Sequence, residues 1–303
     1  MSRADFSFRT APRWLRWQRL SSLAVLVALA VWSFGIEPGW LAERRLELLS
    51  PNWRAPEITI AVAADLHVGA PHAGLAMLDR LIAGINAAKP DLIVLPGDFV
   101  IRGVLGGEQI APEVTAEHLA RLSAPLGVFA TLGNHDWWFD GDGKRVRTAL
   151  EGKGIRVLEN QSVRLHHRGT PITLIGVGDD MTDHADVRRA MRGVAPDASS
   201  IVLVHDPATL PELSAGPALA FAGHTHGGQV ALPFVGALLV PGRAPRQHAY
   251  GWVNAGPVPA FVTAGVGTSI LPVRFNRRPE YLIVRLRPAN FSPLPAAQPA
   301  PSV

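Results

Sequence analysis

Residues 57–98 read EITIAVAADLHVGAPHAGLAMLDRLIAGINAAKPDLIVLPGD. Glu57–Ala63 is a mostly apolar, β-branched run of strand length. Leu75, Leu78, Leu81, Ile82 and Ile85 then recur at helical spacing, and Asp91–Leu95 is a second buried strand. Downstream, helices around Thr115–Leu122 and Lys144–Leu150 flank a strand at Gly127–Leu132. Shorter strands follow at Ile155–Leu158, Val163–His166 and Ile172–Val177. A helix around Ala185–Met191 precedes a strand at Ile201–Val204, and Ala218–Ala222, Phe261–Ala264 and Tyr281–Leu286 complete the strands. Strands alternating with helices early and hairpin-like strands later predict an α/β sandwich of mixed sheets covered by helices.

Outward from this body the chain changes character. Residues 37–56 read as a connector in which alternating Leu46 and Leu48 suggest a short strand, and the last sixteen residues, 288–303, are rich in Pro, Ala and Ser and predict a disordered tail. Leu20–Ile36 carries no formal charge and follows five arginines. At about 1.5 Å per residue it just spans a bilayer core. Trp14 and Trp17 on one side and Trp32 and Trp40 on the other form the aromatic belts of a spanning helix, and the arginine bias places residues 1–19 in the cytoplasm and the domain outside it. A cleaved signal peptide is the competing reading, with Ala28-Leu29-Ala30 as its small-residue site. The expected organisation is a basic segment 1–19, a membrane anchor 20–36, a catalytic domain 37–287 and the tail.

With no cysteine among 303 residues, disulfide scaffolds, thiolate metal sites and cysteine nucleophiles are excluded. Residues 1–50 hold seven arginines against four acids, so most of the net charge of +4 sits there and the rest is nearly neutral. A long nucleic acid is therefore not an expected partner.

Polar residues of metal-binding type follow five of the strands. They are Asp65 and His67 in Ala-Asp-Leu-His; Asp98 in Pro-Gly-Asp-Phe; Asn134, His135 and Asp136 in Leu-Gly-Asn-His-Asp; His205 after Ile-Val-Leu-Val; and His224 and His226 in Gly-His-Thr-His-Gly-Gly. Side chains gathered at strand ends of an α/β sheet converge on one crevice. Nitrogen and oxygen donors without sulfur suit Mn, Fe, Zn or Ni.

The ordered set D-x-H, G-D, G-N-H-D, H and G-H-x-H resembles the calcineurin-like metallophosphoesterase superfamily over roughly residues 57–286. The runs Ala222–Val230 and Gly265–Phe275, with the N-terminal anchor, resemble its membrane-associated YkuE/YaeI-type branch. The resemblance implies an α-β-β-α sandwich with two mixed sheets and two divalent ions, Mn favoured. Asp65, His67, Asp98 and His226 would hold one ion; Asp98, as bridge, with Asn134, His205 and His224 would hold the other. It further implies that His135 contacts the phosphate and assists the leaving group, with Asp136 orienting its ring. One departure is Ile101, where some members carry an acid.

Two cations about 3.5–4 Å apart, joined by a carboxylate, clamp the oxygens of a phosphoryl group during in-line displacement. An imidazole outside the ligand set suits the leaving-group side. Arg274 has the guanidinium fork that matches a phosphate, against the reading of an exposed arginine beside Arg277 and Arg278; His248, near Arg243 and Arg246, is a candidate for the cleft. Trp137 and Trp138 stay open among core, cleft rim and membrane interface. The expected function is a membrane-anchored dinuclear hydrolase of phosphoester or pyrophosphate bonds. The resemblance points to a phospholipid or nucleotide-lipid (UDP-2,3-diacylglucosamine-like) substrate, although the arginine topology sets the domain opposite a cytoplasmic lipid precursor. The alternatives are a nuclease or cyclic-nucleotide phosphodiesterase, and a non-catalytic membrane scaffold.

Overall fold

The structure, a computed structural model, describes residues 13–140 and 143–289. Residues 1–12 of the expected basic segment and 290–303 of the expected tail lie outside the described residues.

In chain order the N-terminal half contains helix α1 (Arg13–Val31), strands β1 (Ala42–Ser50) and β2 (Ile58–Val62), helix α2 (Leu75–Ala87), β3 (Leu92–Pro96), α3 (Pro112–Leu119), β4 (Val128–Thr131), α4 (Asn134–Asp140), α5 (Lys144–Glu151) and β5 (Arg156–Val157). The second half contains β6 (Gln161–His167), β7 (Thr170–Gly176), α6 (Val187–Ala190), β8 (Ser200–Leu203), β9 (Leu219–Ala222), the hairpin β10 (Ala231–Leu232) and β11 (Gly236–Ala237), β12 (Gly251–Val253), β13 (Ala260–Val262) and β14 (Glu280–Pro288).

Two six-stranded sheets result. The first runs β1-β14-β2-β3-β4-β5, with β14 antiparallel to β2 and the other neighbours parallel. The second runs β12-β13-β9-β8-β7-β6, parallel in the middle and antiparallel at both edges. Alternation along each strand stacks the sheets. Ile58, Ile60 and Val62 of β2 meet Leu174, Ile201, Leu203 and Phe221 of the second sheet, while the intervening Ala61 faces Leu78, Leu81 and Ile85 of α2. On the outer face of the second sheet, Val202, Val204 and Ala220 are covered by Val187, Ala190 and Leu210. The layers are therefore α-β-β-α, as expected.

Several elements differ in extent from the sequence reading. The connector's strand is nine residues long and pairs in parallel with β14 from Ala42↔Glu280 to Ser50↔Pro288, so it is an integral edge of the first sheet. Helix α3 starts three residues before the expected position because Pro112 occupies its first turn, where the missing N–H costs nothing. Helix α6 has only four residues, capped by the Asp186 carboxylate on the Arg189 amide. Helix α4, the β10–β11 hairpin and β12 carry no clear periodicity in the sequence.

Helix α1 has no buried residue and, with the turns that extend it to Gly39, is long and apolar enough to cross a membrane. A π-helical turn, Trp32–Ile36, and a 3₁₀ turn, Glu37–Gly39, join it to the domain. The buried Glu37 carboxylate accepts from Trp32 Nε1 (2.6 Å) and from the Arg277 amide (2.7 Å), and the Ser33 carbonyl accepts from the Arg274 amide (2.9 Å).

Candidate metal centre

The carboxyl ends of β2, β3 and β4 in one sheet and of β8 and β9 in the other meet at one edge of the sandwich. Each delivers its polar residues within five positions of the strand end: Asp65 and His67, Asp98, Asn134, His205, and His224 with His226. All seven are at most 3% exposed. Asp65, His67, Asp98, His224 and His226 also have positive φ, between 41° and 68°, a region that non-glycine residues seldom enter. Strain gathered on five side chains of one cluster marks a functional centre. Neighbouring amides hold the turns, with Asp65 N–H donating to the Gly97 carbonyl and His67 N–H to that of Asp98.

The donor atoms converge in two groups. In the first, His67 Nε2 and His226 Nε2 are 3.1 Å apart, and Asp65 completes the trio while its Oδ2 has no partner. In the second, His205 Nε2 lies 3.2 Å from both Asn134 Oδ1 and His224 Nδ1. Asp98 Oδ2 stands between the groups, 3.4 Å from His67 Nε2 and 3.3 Å from His205 Nε2. Donors about 2.0–2.2 Å from a common ion sit about 3.0–3.5 Å apart, so these separations fit cation coordination. The far ring nitrogens are anchored: His205 Nδ1 on the Pro96 carbonyl (2.9 Å), His226 Nδ1 on that of Gly267 (3.2 Å), and His224 Nε2 facing Asp206 Oδ2 at 3.6 Å. Such outer contacts fix the tautomer of a ligating imidazole.

The electrostatics agree with this geometry at His67, His224, His226 and Asp98. At His205 burial opposes protonation but Asp98, Asp65 and Asp179 outweigh it, so that this imidazole would give up a proton on binding a cation. Burial holds the His67 and His226 imidazoles well below their usual range and pushes His224 down to about 3, which leaves all three neutral. Burial pushes the Asp65 carboxyl up to about 7. Burial also works against the Asp98 anion, but His205, His135 and His67 outweigh it and hold this carboxyl well below the carboxylate range. Neutral imidazoles and a carboxylate are the protonation states in which these groups bind metal.

His135 is half-buried at the mouth. Its amide donates to Asp98 Oδ1 (2.9 Å), and its ring stands edge-on to His67 (4.8 Å between centroids) and to the exposed Trp138 (5.3 Å). Asp136 does not orient that ring, contrary to what the resemblance implies. Its oxygens accept from the amides of Asp98 (2.8 Å), Phe99 (2.8 Å), Gly133 (2.9 Å) and Val100 (3.3 Å), so it holds the turn that presents Asp98. Arg274 departs from both of its readings. It is wholly buried and donates to the carbonyls of Ala264, Gly265, Gly267 and Arg277, which leaves no fork for a phosphate. His248 is half-buried in a 3₁₀ turn next to Ala249, whose carbonyl accepts from Thr225 between the two ligand histidines.

Two acids escape the sequence reading. Asp206 is buried with Oδ2 unpartnered beside His224, and Asp179, after β7, is buried with Oδ1 unpartnered. Their only signals are adjacency, to His205 in one case and to a strand end in the other. Glycine is required where the walls close. A Cβ on Gly133 would lie 2.3 Å from Asp98 Oδ1 and 2.6 Å from His205 Cε1.

The family model for calcineurin-like phosphoesterase matches residues 58–228, which contain all seven converging residues. Phosphodiesterase YaeI of Escherichia coli is 31% identical over 255 residues, covering 82% of this chain and 90% of that protein. YkuE of Bacillus subtilis, an uncharacterized metallophosphoesterase, is 31% identical over 223 residues, covering 70% and 73%. UDP-2,3-diacylglucosamine pyrophosphatase LpxG of Chlamydia trachomatis is 28% identical over 265 residues, covering 70% and 77%. With a crevice of imidazoles and carboxyl groups able to hold divalent metal at the strand ends, the chain belongs to the calcineurin-like phosphoesterase family, in its YkuE/YaeI branch, and is a metal-dependent phosphoesterase.

Proposed function

We propose that the chain is a membrane-anchored hydrolase with two divalent ions, Mn favoured, acting on a phosphodiester or pyrophosphate bond of a lipid-linked substrate. The observation that carries this reading is Asp98, whose one oxygen faces both donor groups. Asp65, His67, His226 and Asp98 would hold one ion; Asn134, His205, His224 and Asp98 the other. When bound, the ions supply a nucleophile at neutral pH and neutralise charge on the phosphoryl oxygens.

The chain's own groups do the rest. Asp136 and Gly133 set the position of Asp98, and the Pro96 and Gly267 carbonyls keep His205 and His226 in the tautomer that offers Nε2. His135, held over His67 by the hydrogen bond its backbone N–H donates to Asp98 Oδ1, would give its ring proton to the leaving oxygen. The lipid-linked substrate draws its support from α1, which is fixed to the domain by Glu37, and from the likeness to a diacylglucosamine pyrophosphatase.

The test uses the full chain in detergent, metal analysis, and hydrolysis of a soluble phosphodiester and phosphomonoester. Activity with about two ions per chain is expected. Asp98→Asn should lose both metal and activity, whereas His135→Gln should keep its metal and lose about 10²–10⁴-fold in turnover. A chain that folds but takes up no metal would refute the reading.

A further inference from the structure

The junction between α1 and the domain determines which loops lie beside the membrane. The Ser33 carbonyl is bonded to the amide of Arg274, and the Phe34 carbonyl to His72 Nε2 (2.8 Å), so the segment preceding Arg274 stands next to the end of α1. In that segment Ile270 is 75% exposed and its carbonyl accepts from the amide of Leu105, itself 67% exposed. Gln229 reaches across to the Leu271 carbonyl (3.3 Å), and Val230 bridges to Phe275. These contacts seat the β10–β11 hairpin beside the same loops, with Phe234 fully exposed at its tip and Leu239 80% exposed just beyond. Exposed apolar residues scattered singly need no explanation, but side chains of this size on three adjoining loops mark an interaction surface.

The charge on these loops is one-sided. Residues 99–107, 229–246 and 264–279 contain six arginines and no Asp or Glu. Arg274 is buried and Arg243 pairs with Asp180 and Asp183, whereas Arg102 and Arg246 are exposed and Arg277 and Arg278 half-buried at the surface. A surface depression among them is lined by Val235, Arg246, Tyr250 and Arg277. Apolar tips flanked by arginines suit an anionic bilayer, into which the tips enter while the guanidiniums stay at headgroup level. The loop carrying Ile270 also supplies the Gly267 carbonyl that anchors His226, so the surface runs continuously to the metal centre.

We propose that the face bearing Leu105, Phe234, Leu239 and Ile270 docks on the anionic bilayer that α1 enters, and so holds the mouth of the metal centre at the headgroups. It rests on the reading of α1 as an anchor.

The chain has no cysteine, so single ones can be introduced and spin-labelled without background. Leu105→Cys, Phe234→Cys and Ile270→Cys are compared with Leu26→Cys in α1 and with Leu49→Cys, an exposed site roughly 20 Å along β1 from Ala42. The full chain is placed at one copy per phosphatidylethanolamine/phosphatidylglycerol nanodisc. Labels on the three loops and at Leu26 are expected to be open to oxygen and shielded from a water-soluble nickel chelate; the label at Leu49 is expected to remain open to the chelate. If Leu26 is shielded but the loops behave like Leu49, the docking surface is refuted and the anchor stands. If Leu26 itself is open to the chelate, the anchor reading fails and the docking surface with it. Shielding that appears only with two copies per disc overturns the proposal in favour of self-association. Phe234→Asp combined with Ile270→Asp should lower hydrolysis of a bilayer-embedded phosphodiester about tenfold with metal content and soluble-diester hydrolysis unchanged. An equal fall on both substrates would count against docking.

Discussion

The carboxylate of Asp206 ends 3.6 Å from His224 Nε2, on the side of the ring away from the ligand group, and no donor reaches its Oδ2. A carboxylate in this position steadies the imidazole and raises its basicity as a ligand. Asp206→Asn should therefore weaken metal retention about 10–100-fold while the fold persists, measured by chelator competition and circular dichroism; unchanged retention would remove the role. Gly242, in the left-handed region, closes over the same pair, since a Cβ there would lie 2.6 Å from His224 Nε2 and 2.8 Å from Asp206 Oδ2. Residues of this kind separate what the sequence reveals from what it hides. Asp65, His67, Asp98, Asn134, His205, His224 and His226 were legible because each follows an apolar strand by a few positions, and the strand ends had to meet. Arg274 was misread because carbonyls of Ala264, Gly265 and Gly267 enclose its guanidinium, and a charged residue after Gly-Thr-Ser gives no sign of that burial. Asp136 was misread for a related reason. Its partners are the amides of another loop, and backbone partners leave no mark in the sequence.

At the scale of elements, the strands that carry ligands matched their expected positions because buried strands read as short apolar runs between turn signals. The helices were less well bounded, since proline at the first turn of α3 and a side-chain cap on α6 moved their ends. The segment between α1 and β1 was the least legible, because its order comes from contacts about 240 positions away in the chain. Glu37 accepts from Arg277 and Trp32, Arg278 lies over the Trp40 ring, and β1 pairs with β14. Helix α1 is thus joined to the sheet by packed structure. Glu37→Ala leaves the Arg277 amide and Trp32 Nε1 without acceptors and should lower unfolding stability by about 1–3 kcal/mol. The metal ligands are untouched by that change, so soluble-diester turnover below the melting range should match the unaltered chain. Thermal denaturation followed by tryptophan fluorescence, together with the turnover assay, checks both halves of the expectation.

For the molecule as a whole, the metal centre ties stability to pH and to the cation. In the metal-free protein, burial opposes protonation of His205, but Asp98, Asp65 and Asp179 outweigh it and hold the imidazole well above its usual value; burial also lifts Asp65 to about 7. Near neutrality the folded protein therefore carries protons that the unfolded chain releases. His67, His226 and His224 shift the other way, but they are already neutral in the folded protein, so they add nothing to the difference between metal-free and metal-loaded protein, and above pH about 7.5 they are neutral in the unfolded chain as well. Hence stability from His205 is fully present below its unfolded value and is lost as pH rises through its folded value, at up to about 1.4 kcal/mol per pH unit. A bound cation replaces these protons and removes that dependence. It also stabilises the fold by about 2.7 kcal/mol at a hundredfold excess over its dissociation constant, roughly 5–10 °C for a domain of this size. Chelated protein should then melt lower than metal-loaded protein, and the gap should widen from pH 6.5 to 8. Titration calorimetry in two buffers of different ionisation enthalpy should record release of about one proton or more per chain on metal binding at pH 7, falling as pH rises. A melting gap that narrows with pH, or binding heats that do not depend on the buffer, would show that His205 and Asp65 are already deprotonated in the free site.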